Sequence, residues 1–256
     1  MFAEDNSFVG GLDIVNNTTG NNGQSGIQVE ANDSAFINNV LIENNVSSNN
    51  GADGVEIATS EFAVISSTAP FGIRNNELTN NANGVTLTTA ADSLIEIDIF
   101  QNEISGNIFD GISTSEITNT ISDFRITRGS FTENVITDNG AHGINLDGSI
   151  DNLFVADNLI NSNGLYGINI TAGGDGEFLR NEIIGNGTNA GARGSSGGIN
   201  IDDRGFKDLF FAENVVLENT GDGVRIVNDS FAGASGFTLA FDSNTCLLYT
   251  SDAADE

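Results

Sequence analysis

The chain is 256 residues long and carries 36 aspartates and glutamates against eight lysines and arginines, a formal net charge of −28. Such acidity argues against nucleic acid and anionic membrane surfaces as partners, because like charges repel. No run of about 18 apolar residues is present, so membrane insertion is not expected.

One motif, taken in chain order, accounts for nearly all of the sequence: Asn-x-aliphatic-x-x-Asn, then Gly-(Ile/Val)-x-aliphatic, recurring about every 24 to 32 residues. A partial copy spans Leu12–Val29. Looser copies follow at Asn39–Ile57, Asn76–Leu87 and Asn102–Thr114. Tighter ones stand at Asn134–Leu146, Asn158–Ile170, Asn181–Ile201 and Asn214–Ile226. Three residues before the first Asn lies an apolar column: Phe36, Ile73, Ile99, Phe131, Val155, Phe178 and Phe211. Two after it come Leu41, Leu78, Ile104, Ile136, Ile160, Ile183 and Val216. The glycine is followed by Ile27, Val55, Val85, Ile112, Ile144, Ile168, Ile199 and Val224, then two further on by Val29, Ile57, Leu87, Thr114, Leu146, Ile170, Ile201 and Ile226. Polar residues alternate with these positions, the mark of short half-buried strands.

The expected fold is all-β: three short strands per repeat, stacked in parallel into three sheets around one apolar interior. About eight rungs at about 4.8 Å give a cylinder roughly 40 Å long. The first Asn is expected at a corner with left-handed backbone and in a ladder of stacked amides, and the Gly at a second corner with positive φ. The single proline fits, since every internal strand must donate to a ladder.

These Asn and Gly columns resemble the right-handed parallel β-helix of the pectin-lyase-like superfamily in its Asn-rich repeat form, over Leu12–Asn244. Lyases, hydrolases, epimerases, tail spikes and surface proteins share that fold, so the function rests on the site. The resemblance and the acidic, Asn/Thr-rich composition imply a secreted or cell-surface protein.

One domain, residues 1–245, is expected, as an interior fragment of a longer protein with further domains of the same chain as partners. Met1–Gly11 has neither the basic nor the apolar part of a signal peptide. The last residues, Cys246–Glu256, fall outside the repeat and resemble the in-frame translation of a sequencing adapter. They are expected to be a non-native tail that packs against nothing, the chain being an environmental fragment. Without Asp252, Asp255 and Glu256 the net charge is −25, so the acidity does not depend on the tail.

In the superfamily the substrate groove lies on the strand that follows the Gly. Its first outward column reads Gln28, Glu56, Thr86, Ser113, Asn145, Asn169, Asn200 and Arg225; its second reads Glu30, Ala58, Thr88, Ser115, Asp147, Thr171, Asp202 and Val227. The candidate carbohydrate-binding residues are therefore Asn145, Asp147, Asn169, Asn200, Asp202, Asp203, Arg204 and Arg225, since amides, carboxylates and guanidinium suit sugar hydroxyls and uronate carboxylates. The alternative is an ordinary solvated sheet face. The stretches Asn44–Gly54 and Asn186–Gly198 read as long loops, which either carry binding or are tolerated insertions. Tyr166 is a candidate sugar-stacking ring. His142, the single histidine, is expected in an exposed turn.

No catalytic residue is assigned. Asp202-Asp203 and Arg225-Ile226-Val227 partly resemble polygalacturonase elements, but the Gly-His-Gly between them is missing, and Asn169-Ile170-Thr171 lacks the expected Asp. No cofactor is certain; Ca²⁺ is the candidate, on acidic loops and at Gly173-Gly174-Asp175-Gly176. The reading is a structural or adhesive array that binds polysaccharide or cell-surface glycan. The alternative is a Ca²⁺-dependent polysaccharide lyase or related uronan-active enzyme, with Asp147, Asp202, Asp203 and Arg225 cast as metal ligands and base.

Overall fold

Strands form where apolar and polar residues alternate, and corners form at the Asn and Gly columns. The structure, a computed structural model, describes residues 1–67, 70–90, 92–117, 126–148, 150–171, 173–189, 196–202, 208–227 and 238–247. All described strand pairs are parallel, and they make a right-handed three-sheet solenoid of about seven turns, against the eight expected. The strand after the Gly column forms sheet A, which runs from the short edge strand Phe2–Ala3 through Ile27–Ala31, Tyr166–Ile170 and Gly197–Asp202 to Asp222–Val227. Sheet B carries the residues before the first Asn, and sheet C those between the two Asn columns.

Most of the predicted apolar columns line the interior, whereas Ile226, at the end of its column, is 52% exposed. Leu78, Ile104, Ile136, Ile160 and Ile183 line the interior from sheet C, and Ile144, Ile168, Leu146 and Ile170 from sheet A, all fully buried. Burying each such side chain stabilises the fold by about 1.5–3 kcal/mol. From sheet B, Phe178 stacks on Phe211 with centroids 4.6 Å apart.

Two Asn ladders run the length of the solenoid. Asn158 shows the rule. Its Oδ1 accepts both the backbone N–H and the Nδ2–H of Asn134, at 3.0 Å each. Its own Nδ2 donates to Phe131 O and to Asn181 Oδ1. The first ladder joins Asn17, Asn45, Asn76, Asn102, Asn134, Asn158, Asn181, Asn214 and Asn244 in this way. The second joins Asn22, Asn50, Asn81, Asn107, Asn139, Asn163, Asn186 and Asn219. Every corner donor and acceptor that these amides reach would otherwise be buried without a partner.

Several sequence expectations need correction. The left-handed residue is not the ladder Asn but the one before it: Glu133 (φ 56), Asp157 (φ 58) and Arg180 (φ 52). The ladder fixes the corner, so residues other than Gly or Asn are held there in spite of local strain. The corner glycines before sheet A do not have positive φ. They are required for space: a Cβ on Gly111 would lie 2.6 Å from Gly143 O and 2.4 Å from Ile136 Cγ2. In the second copy the register is set by Asn45, not Asn39. Ile42 is therefore the inward residue, paired with Ile73, and Ser47 takes the position opposite Leu78. Phe36 is half-buried and stacks on Phe8 at 5.6 Å instead of entering the core. The apparent long loop Asn44–Gly54 disappears with that shift. Finally, Cys246 and Leu247 do add to the array: strand Thr245–Leu247 pairs with Val215–Leu217 in sheet C. Residues 248–256 lie outside the described residues.

Candidate ligand-binding face

The outward side chains of sheet A fall where the repeat places them. Ser113, Asn145, Asn169, Asn200 and Arg225 are successive Cα partners. From Asn145 onward their side chains are joined into one hydrogen-bonded row. Asn145 Nδ2 donates to Asp110 Oδ2 at 3.0 Å, Asn169 Nδ2 to Asn145 Oδ1 at 2.8 Å and Asn200 Nδ2 to Asn169 Oδ1 at 2.8 Å. Arg225 Nη1 closes the row on Asn200 Oδ1 at 2.8 Å. The amides all point the same way, so the row begins on a carboxylate and ends on a guanidinium.

Most of this row turns away from water. Asn169 is 8% exposed and Asn200 5%, whereas Asn145 and Arg225 are half-buried. The second outward column is more open: Asp147 is exposed, Asp202 half-buried, and Thr171 Oγ1 donates to Asp147 Oδ1 at 3.1 Å. Asp203 and Arg204 lie outside the described residues. So do residues 190–195 within the Gly187–Gly197 stretch. The structure thus unites Asn145, Asn169, Asn200 and Arg225, and flanks them with Asp147 and Asp202.

A second row runs beside the first, at the corner before the Gly column, and sequence reasoning missed it. Each side chain accepts the backbone N–H one rung on. Asp53 Oδ1 takes Asn83 N–H, Asn83 Oδ1 takes Asp110 N–H, and Asp110 Oδ1 takes His142 N–H. His142 Nδ1 then takes Tyr166 N–H at 3.1 Å. The signal was a column of acceptors, Asp, Asn, Asp, His, immediately before the conserved-spacing Gly. His142 is therefore half-buried within a ladder and not an exposed turn residue. Burial depresses its pKa, and the Asp110 carboxylate opposes the shift.

Tyr166 also differs from expectation. It is 4% exposed, and the His142 ring lies parallel to it at 5.8 Å, so its ring is not free to stack on a sugar. Its partner on the next rung is Gly197, whose own partner is Asp222. The hydroxyl is buried and meets no hydrogen-bond partner of good geometry among the described residues. Burial raises its pKa, opposed by the nearby Arg225 guanidinium and reinforced by Asp222. Both rows therefore converge on Arg225.

Among the described residues, no group of three or more His, Cys, Asp or Glu side chains is placed to hold a metal ion. No described helix is long and apolar enough to cross a membrane.

The family model described as a right-handed beta helix region matches residues 64–245. No curated protein and no solved structure matches the chain significantly. The matched span covers most of the sequence and most of both Asn ladders, so the chain belongs to the right-handed β-helix family.

Proposed function

We propose that the chain is a secreted or cell-surface structural and adhesive array that holds polysaccharide along sheet A. The observation that carries this reading is the row of Asn145, Asn169, Asn200 and Arg225, four outward side chains on successive rungs locked in one direction. The strip spans about 14 Å at about 4.8 Å per strand, and each step is comparable to the length of one pyranose. A strip already held by internal hydrogen bonds loses little further freedom on binding, which favours affinity from few contacts. The groups left to meet a ligand are the remaining guanidinium N–H groups, the Asn145 amide and the carboxylates of Asp147 and Asp202. That set suits an acidic polysaccharide at the arginine end and hydroxyl groups elsewhere. The test is affinity electrophoresis of the full chain through gels containing polygalacturonate, alginate or a neutral glucan. Retardation by an acidic polymer that weakens with added salt is expected. Unretarded migration through all three gels would remove the polysaccharide reading.

A further inference from the structure

A second cleft lies on the outer face of sheet B, apart from the rows on sheet A. Its volume is about 430 Å³, and Phe154, Glu177, Phe210, Asp175, Asp208 and Gly176 are among the residues lining it. That size suits a small molecule and not a polymer. The sheet is irregular here: the pairing shifts register between Ile150 and Leu153, where Asn152 takes φ 49. Gly176 contributes no side chain to the floor.

Phe154, Glu177 and Phe210 are Cα partners on three successive rungs. Aromatic rings on adjacent rungs touch, as Phe178 and Phe211 do at 4.6 Å. Phe154 and Phe210 are two rungs apart, or about 9.6 Å between their strands, with Glu177 on the rung between them. A cation held beside Glu177 on that rung has an aromatic residue one rung away on either side, a spacing of about 4.8 Å that is compatible with the roughly 6 Å reach of a cation–π contact. Glu177 stands on the rung between and is exposed, and Phe210 is 38% exposed.

Among the described residues, the charges on the rim have one sign. Asp175 Oδ1 accepts the Asp208 N–H at 3.0 Å and Asp208 Oδ1 accepts the Thr238 N–H at 3.1 Å, which leaves the second oxygen of each carboxylate to the cleft. No basic side chain is among the described residues that line it. The same carboxylates do not form a metal-holding group. Aromatic walls with carboxylates between them fit an organic cation with an apolar surface, and the net charge of −28 draws cations toward the molecule.

We propose that this cleft binds a small organic cation of the trimethylammonium type, seated between Phe154 and Phe210 and neutralised by Glu177. The proposal does not depend on the polysaccharide reading. The experiment is calorimetric titration of the full chain with choline, and with choline's uncharged isostere, in which a tert-butyl group replaces the trimethylammonium. Choline should bind, and the isostere should bind at least roughly tenfold more weakly. Glu177→Gln and Phe210→Ala should each weaken choline by roughly tenfold, whereas Phe210→Tyr and Arg225→Ala should leave it unchanged. Circular dichroism melts would confirm that each variant is folded, and Phe210→Leu serves if the alanine variant is not. Equal binding of the isostere would reduce the site to an apolar hollow and overturn the proposal. So would choline affinity unmoved by Glu177→Gln and Phe210→Leu, or displacement of choline by a neutral oligosaccharide or a lysine-rich peptide at lower concentration than choline itself needs.

Discussion

His142 Nδ1 accepts the Tyr166 backbone N–H at 3.1 Å while the two rings lie parallel, so the neutral imidazole serves as one rung of a corner ladder. A protonated imidazole has no lone pair on Nδ1 and would leave that N–H without an acceptor. Burial already lowers the pKa from 6.5. Because the folded pKa lies below the unfolded one, the unfolded chain binds the proton more readily. The stability contributed is therefore complete above about pH 6.5 and is lost as pH falls through the folded value. His142→Asn should keep an acceptor, as Asn83 does one ladder step from Asp110, and remove this component. Urea midpoints at pH 7.5 and 5.5 should fall more for the parent chain than for His142→Asn. Equal falls would mean that His142 contributes no pH dependence.

Asn158, buried in the first ladder, satisfies two donors of Asn134 and one acceptor, Phe131 O. Asn158→Ala should destabilise by about 2–4 kcal/mol, since each orphaned buried group costs about 1–3 kcal/mol. Asn158→Asp keeps the acceptor but loses both donors and places a carboxylate against Asn181 Oδ1 and Phe131 O. A carboxylate so placed titrates above its ordinary range, so this variant should be least stable at neutral pH and recover as acid protonates it. A melting temperature for Asn158→Asp that is highest at neutral pH would contradict the ladder as described.

Gly111 is needed for room and not for backbone freedom. The added methyl of Gly111→Ala would sit 2.6 Å from Gly143 O, a backbone atom that the next rung holds in place. Overpacking of this kind costs about 1–3 kcal/mol. Gly11, around which a Cβ would find open space, is the control. If Gly111→Ala and Gly11→Ala melt alike, the close approach of the rungs is not what selects glycine.

Phe178 and Phe36 were placed in one column by sequence, and the structure separates them. Phe178→Ala should cost about 3–5 kcal/mol because it empties a fully buried site, and Phe36→Ala clearly less because Phe36 is half-buried against Phe8. Chemical denaturation of both variants decides it; equal losses would restore Phe36 to the core.

The reason for that misplacement shows what the sequence can reveal. Sheets and interior were legible because aliphatic residues recur at fixed offsets from Asn and Gly. In the second copy the true inward residue is Ser47, whose hydroxyl donates to Gly54 O at 2.9 Å and accepts from Asn50 Nδ2 at 3.1 Å. A satisfied interior hydroxyl leaves no apolar mark, so the pattern drew the eye to Leu41 and to Asn39. The candidate face was legible as a column, since period-2 alternation fixes which residues point outward. Its internal bonding was not, because the direction of an amide and the burial of Asn169 and Asn200 depend on neighbours a rung away. The same holds for Tyr166, whose covering by His142 follows from stacking across 24 residues of sequence.

Arg225 and Asn169 should respond in opposite senses. Asn169 is 8% exposed, and its loss would leave Asn200 Nδ2 without an acceptor and Asn145 Oδ1 without a donor. Asn169→Ala should therefore lower stability by about 1–3 kcal/mol and change polysaccharide retention little. Arg225 ends the row, half-buried, with Nη1 donating to Asn200 Oδ1. Arg225→Ala should cost less stability but most of the retention on polygalacturonate or alginate, and added salt should shrink the difference between it and the parent chain. Ultraviolet absorbance of the same mixtures checks for unsaturated products, with and without Ca²⁺; retention without turnover is expected. Turnover that Arg225→Ala or Asp202→Ala abolished would instead assign this face to a lyase. Retention that survives Arg225→Ala but falls with Asn169→Ala would show that the amide row, and not its cationic end, meets the sugar.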